Sequence, residues 1–201
     1  MNKRIKEISN LSRKDWIKYR KQNSSELLNS YPNYKFNIRF IMMKQFKKIM
    51  DEENITLYLS GGALLGAKRD KDFIPWDGDV DFDALEEELK PKCNIIKNKL
   101  MELGYITRVI DEYPKIKINA FYSGEKVGVL GLYLNEKKKE RYRYKYSWPS
   151  KIYKEKEKIN FKGVTFDAPK IVDYIEHTYG SKWKEPIKEN FFTKQVYRTN
   201  G

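Results

Sequence analysis

Cysteine and histidine are almost missing from this chain: its 201 residues carry one of each, Cys93 and His177. A single thiol closes no intrachain disulfide and builds no thiolate metal cluster, so a reducing, cytoplasmic setting is expected. A lone imidazole argues against His-rich zinc sites and against Ser-His-Asp chemistry. Long apolar runs are missing too. No segment reaches the ~20 residues of a membrane helix, and the start, Met1 to Ile8, lacks the apolar core of a secretory signal. No stable membrane insertion is expected. Internal repeats and low-complexity linkers are also absent from the sequence. With these classes set aside, any metal must be held by carboxylates, which favours Mg²⁺ or Mn²⁺.

What remains is a globular composition. Hydrophobic residues make up 40% and aromatics 14%, too many for a disordered chain. The length suits one domain able to bury a core. Lys plus Arg number 41 against 28 Asp plus Glu, a net charge of +13. That balance admits anionic partners: nucleic acid, anionic lipid or phosphorylated small molecules. The charge is concentrated between Lys137 and Lys158, where ten basic residues face three acidic ones.

The segment 1–33 is polar and helical in pattern, an N-terminal helical appendage to a single domain over 34–201. Ser12 and Asp15 resemble a capping box ahead of Trp16 and Ile17. A long helix is expected from about Tyr34 to Glu53, because Phe36, Phe40, Met43, Phe46 and Met50 recur every three or four residues. Next come a strand Ile55–Leu59, a Ser60-Gly61-Gly62 turn and a short helix to Arg69. Phe73 to Trp76 reads as extended, since Pro75 disfavours helix before it. Both aromatics are expected to pack and to position the acidic segment after them. Asp77 to Asp83 alternates at a strand period, which places the odd-numbered Asp side chains on one face. A helix then starts near Leu85 or Pro91 and stops at Gly104. Strands come next at 105–110, 115–122 and 127–134, with a hairpin turn at Ser123-Gly124-Glu125. Arg141 to Tyr146 alternates basic and tyrosine residues, as an edge strand with one basic face would. A last helix spans about Pro169 to Tyr179. The class is α+β: a small mixed sheet flanked by helices.

Two pieces carry chemistry. A glycine pair between a strand and a helix start lets backbone N–H groups approach a phosphate. Ser60, Gly61 and Gly62 are therefore candidate phosphate-binding residues. The second piece is the row Asp77-x-Asp79-x-Asp81-x-Asp83. Like charges stacked on one strand face are costly unless a cation neutralises them. The row is thus a candidate Mg²⁺ or Mn²⁺ site. An EF-hand does not fit, because the Gly and the terminal Glu are misplaced.

Together these pieces have the layout of a nucleotidyltransferase fold, and the stretch Tyr58 to Phe82 resembles the signature of the LicD and fukutin family. That pattern runs close to G-G-T-L-L-G-x-x-R-x-x-G-F-I-P-W-D-D-D-I-D. A second resemblance lies downstream, from Phe161 through Pro169 to the helix ending in Tyr179-Gly180 and Trp183. This chain departs from the pattern at Ala63, Asp70, Asp72 and Gly78, while Asp77, Asp79 and Asp81 are kept. Relatives also carry an Asp in an Ile-Asp-Ile-Phe stretch on a later strand. The counterpart here, Val127-Gly128-Val129, has no carboxylate, which leaves Asn119, Asp111, Glu125 and Asp167 as substitutes.

The resemblance implies transfer of a phosphorylated alcohol, phosphocholine or ribitol phosphate, from a CDP-linked donor to a glycan or lipid-linked sugar. Asp77, Asp79 and Asp81 would be its catalytic and metal residues. Lys68 and Arg69 would join the glycine turn at the phosphates. Arg141, Arg143 and Lys145 are candidate acceptor-binding residues, and nucleic acid is not expected as a partner. Two other readings stay open. One is a nucleotidyltransferase releasing pyrophosphate, acting on RNA or an aminoglycoside. The other is a non-catalytic nucleotide- or nucleic-acid-binding module, which the missing later carboxylate would suit.

Overall fold

A computed structural model describes residues 3–12, 14, 15, 18, 22 and 32–186. The chain begins with helix α1 (Lys3–Ser9), whose Ile8 is buried. Asn10 accepts from Lys97 at 2.7 Å, and the Leu11 carbonyl accepts from Arg108 at 3.2 Å. The expected cap at Ser12 forms: its hydroxyl accepts from the Asp15 N–H at 3.2 Å and donates to the Asp15 carboxylate at 2.6 Å. Trp16 and Ile17 lie outside the described residues, as do most of segment 1–33 and residues 187–201.

The long helix α2 (Pro32–Glu52) opens on proline, whose fixed φ and missing N–H suit a first helical turn. Its apolar stripe buries Ile38, Met42, Met43, Phe46, Ile49 and Met50. Phe36 and Phe40, at its start, are only partly covered. The strand expected from Ile55 is reduced to β1 (Tyr58–Leu59), because Ile55 bonds back to Met50 and Thr56 donates to Glu88. Helix α3 (Gly61–Arg69) and strand β2 (Val80–Leu85) come next. The Asp row was expected as strand from Asp77, but Asp77 lies in a turn closed by its N–H on the Ile74 carbonyl, and β2 starts only at Val80.

Pro91 breaks the next helical stretch into α4 (Glu86–Leu89), a 3₁₀ turn and α5 (Cys93–Glu102). Three long strands succeed it: β3 (Ile106–Glu112), β4 (Lys115–Tyr122) and β5 (Glu125–Asn135). The expected single edge strand 141–146 is instead a hairpin of β6 (Glu140–Arg143) and β7 (Tyr146–Pro149), turned at Tyr144 with φ of 53°. After α6 (Lys151–Lys154) comes a hairpin absent from the sequence expectation, β8 (Glu157–Phe161) and β9 (Val164–Ala168). Helix α7 (Ile171–Tyr179) ends at Gly180.

Among the described residues the main sheet has the order β3-β4-β5-β2-β1-β9-β8, with the β6–β7 hairpin extending from β5. It is mixed: β2 runs parallel to β5 and β1 parallel to β9, and the other pairs are antiparallel. Val80, Phe82 and Ala84 point into the core, where Phe82 meets Phe46 at 6.4 Å and Phe166 at 5.9 Å between ring centroids. Truncating such a ring costs about 3–5 kcal/mol. That cost pins the register of β2, so Asp81 and Asp83 are forced to the opposite face.

Candidate functional site

Three aspartates of the row, Asp79, Asp81 and Asp83, each meet a basic side chain from a different strand. Lys126 of β5 pairs with Asp79, Lys117 of β4 lies 3.0 Å from Asp81, and Arg143 of β6 lies 3.1 Å from Asp83. The carboxylates are graded in depth: the Asp79 side chain is 35% exposed, Asp81 28% and Asp83 0%. Asp83 belongs to the interior. The Tyr153 hydroxyl donates to it at 2.9 Å, and Arg143 also lies over the Trp148 ring at 5.3 Å. Burial pushes the Asp83 carboxyl up, against the pull of Arg143 and the tyrosine. Burial opposes ionisation of Asp81 as well, but Lys117, Lys126 and Arg143 together outweigh it and hold its carboxyl below the ordinary value. Burial lowers the Lys117 ammonium against the pull of Asp81. The electrostatic cost of the row is therefore met here by three cations of the chain itself, and the outer two carboxylates stay at the surface.

The glycine turn and the Asp row are in contact. A Cβ on Gly62 would fall 1.8 Å from Asp77 Oδ2, so a larger residue there collides with that carboxylate. Burial and the neighbouring Asp79 push the Asp77 carboxyl up to about 6. From α2, Arg39 donates to the Asp77 carbonyl at 2.7 Å and pairs with the buried Glu125. Ser60 donates its hydroxyl to the Asp81 carbonyl at 3.1 Å and leaves α3 without a side-chain cap. Gly61 has φ of 57°, and its N–H donates to the Tyr174 hydroxyl at 3.1 Å. That N–H is thus engaged by the protein itself.

Other sequence candidates fall elsewhere. Lys68 and Arg69 lie in the last turn of α3, about 12 Å along the axis from Gly61. Arg69 pairs with Asp70 at 2.7 Å and donates to the Trp183 carbonyl at 3.3 Å. Arg141 is paired with Glu87 at 2.6 Å and shares a groove of about 360 Å³ with Lys139 and Lys154. Arg143 turns inward to Asp83, so it does not share an open basic face with Arg141. Lys145 lies 5.6 Å from the Tyr146 ring. Phe73 packs as expected, 4.9 Å from Phe161, whereas Trp76 is 42% exposed beside the row. Of the four candidates for the later carboxylate, Asn119 lies across Gly128 from Asp81. Glu125 turns to Arg39, Asp111 sits near Lys90, and Asp167 pairs with Lys158. Among the described residues no three Asp, Glu, His or Cys side chains form a metal cluster. None of their helices is long and apolar enough to cross a membrane.

Residues 54–171 match the family described as LicD/FKTN/FKRP, nucleotidyltransferase domain. The chain belongs to that family. The matched span runs from the end of α2 to the start of α7 and contains the glycine turn, the Asp row and its three cations. Among curated proteins no match is found. Among solved structures, a crystal structure of ANT(2″)-Ia in complex with adenylyl-2″-tobramycin shares 16% identity with this LicD-family chain. Its TM-score is 0.46, over 64% of this chain and 67% of that one. A solution structure of the antibiotic-resistance factor ANT(2″)-Ia shares 18%, with a TM-score of 0.38 over half of each chain.

Proposed function

We propose that this LicD-family chain transfers a phosphorylated alcohol from a nucleoside-diphosphate-activated donor to a glycan hydroxyl, with Mg²⁺ or Mn²⁺. The donor is CDP-linked in this reading, and the transferred group resembles phosphocholine or ribitol phosphate. The observation that carries it is the contact between Asp77 and Gly62, which joins the carboxylate row to a helix N-terminus. The residues fit a cation: Asp79 and Asp81 already hold ammonium groups at their rims, and hard divalent ions favour such oxygens. Asp79 and Asp81 would hold the ion, with Asp77 assisting. When bound, it would supply Lewis-acid neutralisation of charge on the leaving nucleoside monophosphate.

The chain's own groups do the rest. Backbone N–H groups at the start of α3, with the positive end of its dipole, hold a donor phosphate near Gly62. Arg39 fixes the Asp77 loop through its carbonyl. A carboxylate of the row, Asp81, takes the acceptor proton. Arg141 and Lys145 are placed toward an anionic glycan or lipid-linked sugar. The inward pairing of Arg143 removes it from that set.

Product analysis tests this reading. With a CDP-linked donor, Mn²⁺ and a glycan acceptor, release of CMP supports phosphotransfer. Release of pyrophosphate from CTP instead supports nucleotidyl transfer, the reading favoured by the family's domain description. Asp79→Asn should lower kcat/KM by about 100-fold or more, the scale of a lost metal ligand.

A further inference from the structure

The position opposite Asp81 on the neighbouring strand is bare. β5 places Gly128 beside Asp81, and β4 places Asn119 beside Gly128. A Cβ on Gly128 would stand 2.8 Å from Asn119 Oδ1, 3.2 Å from Asp81 Oδ1 and 3.1 Å from Lys117 Cε. The missing side chain therefore lets all three groups close on one point, where a larger residue would collide with them. Asn119 is only 7% exposed, and its Oδ1 has no hydrogen-bond partner. A buried amide oxygen left unmet is costly. Lys117 borders the same point, yet its ammonium goes to Asp81 Oδ1 at 3.0 Å. Two oxygens thus meet at one point, and Lys117 is bonded to only one of them. Carboxylate and amide oxygens are the donors that a hard divalent ion takes together.

We propose that Asn119 is the third oxygen ligand of a divalent cation held by Asp79 and Asp81, and that Lys117 is the internal cation this ion displaces. The inference rests on the metal-dependent reading above. A compact ammonium on a flexible stem holds Asp81 in place until the ion arrives. Arg143 stays with Asp83, because that pair is buried beneath Tyr153 and Trp148. The neutral amide also leaves the site one negative charge short of a three-carboxylate set.

Calorimetric titration with Mn²⁺ alone tests this, on the wild type, Asp81→Asn, Asn119→Ala, Asn119→Asp and Lys117→Met. Asn119→Ala should weaken binding roughly 10–100-fold, and Asn119→Asp should tighten it. Lys117→Met should bind about tenfold more tightly, having lost the competing charge. Melting provides a second reading: Mn²⁺ should raise the melting temperature of Lys117→Met more than that of the wild type. Wild-type affinity in both Asn119 variants, or unchanged or weaker binding in Lys117→Met, overturns the inference. If Asp81→Asn alone abolishes binding in that case, the metal-dependent reading survives. If the wild type binds no Mn²⁺ at all, both fall.

Discussion

Asp79, Asp81 and Asp83 look equivalent in sequence, yet depth gives them different work. Asp83 is fully buried on Arg143, so Arg143→Met leaves a buried charge without its partner. Breaking such a pair costs about 3–5 kcal/mol. The expected outcome is a large drop in denaturant midpoint, with acceptor KM unchanged in whatever protein still folds. A raised acceptor KM at wild-type stability would restore Arg143 to the acceptor site. Asp77 gives a pH signature of opposite sign to a paired carboxylate. Its folded pKa of about 6 lies above the unfolded value of about 3.9. The folded state holds this proton more tightly, so the stability is full below about pH 4 and lost as pH rises through about 6. Asp77→Asn should therefore gain on the wild type over that window, by at most about 3 kcal/mol. Urea unfolding at several pH values in a chelator measures it, and a constant difference between the two proteins would contradict it. The row itself was legible, because alternation with Val80 and Phe82 fixes its face. Its cations were not, because Lys117 comes 36 residues after Asp81 and nothing local marks it as a partner.

At the scale of elements, the junction of α3 with the Asp77 loop carries the site. Gly62→Ala adds a better helix former, worth up to about 1 kcal/mol in an unstrained helix. It also drives a methyl into the Asp77 carboxylate. The melting temperature should therefore change by only a few degrees, while kcat/KM falls about tenfold or more as the carboxylates shift. Wild-type activity in Gly62→Ala would separate the two motifs. Most elements were readable from periodicity: α2, β4, β5 and α7 fall close to where their apolar patterns place them. The β6–β7 hairpin was hidden because Tyr144-Lys145 offers neither Gly nor Asn for its positive φ. The β8–β9 hairpin turns at Lys162-Gly163, both at positive φ, a signal present in the sequence. The two-residue β1 shows the limit of patterning: Ile55 and Leu57 are buried without joining a ladder.

Across the whole molecule, the sheet order brings together β2, β4, β5 and β6, and so assembles a site that no contiguous stretch of sequence contains. The net charge of +13 is spent partly inside that site, on Asp79, Asp81 and Asp83. The rest of the basic charge lies above all in Lys137 to Lys158, the stretch assigned to an anionic acceptor in the function proposed above. Charge reversal at Arg141 should raise acceptor KM several-fold and leave donor KM unchanged, as loss of a surface charge contact does. Steady-state kinetics with each substrate varied in turn will show it, and equal effects on both would place Arg141 elsewhere. The family signature was legible from Tyr58 to Phe82, and the family match spans residues 54–171. The placing of Asn119 beside Asp81 across Gly128 became visible only once the strand register was known.

The most direct test of the central claim is calorimetric binding of CDP, with and without Mn²⁺, to the wild type and to Asp79→Asn. The account predicts binding that requires Mn²⁺ and disappears in the variant. Binding that is equal without the metal, or that survives in Asp79→Asn, would contradict it.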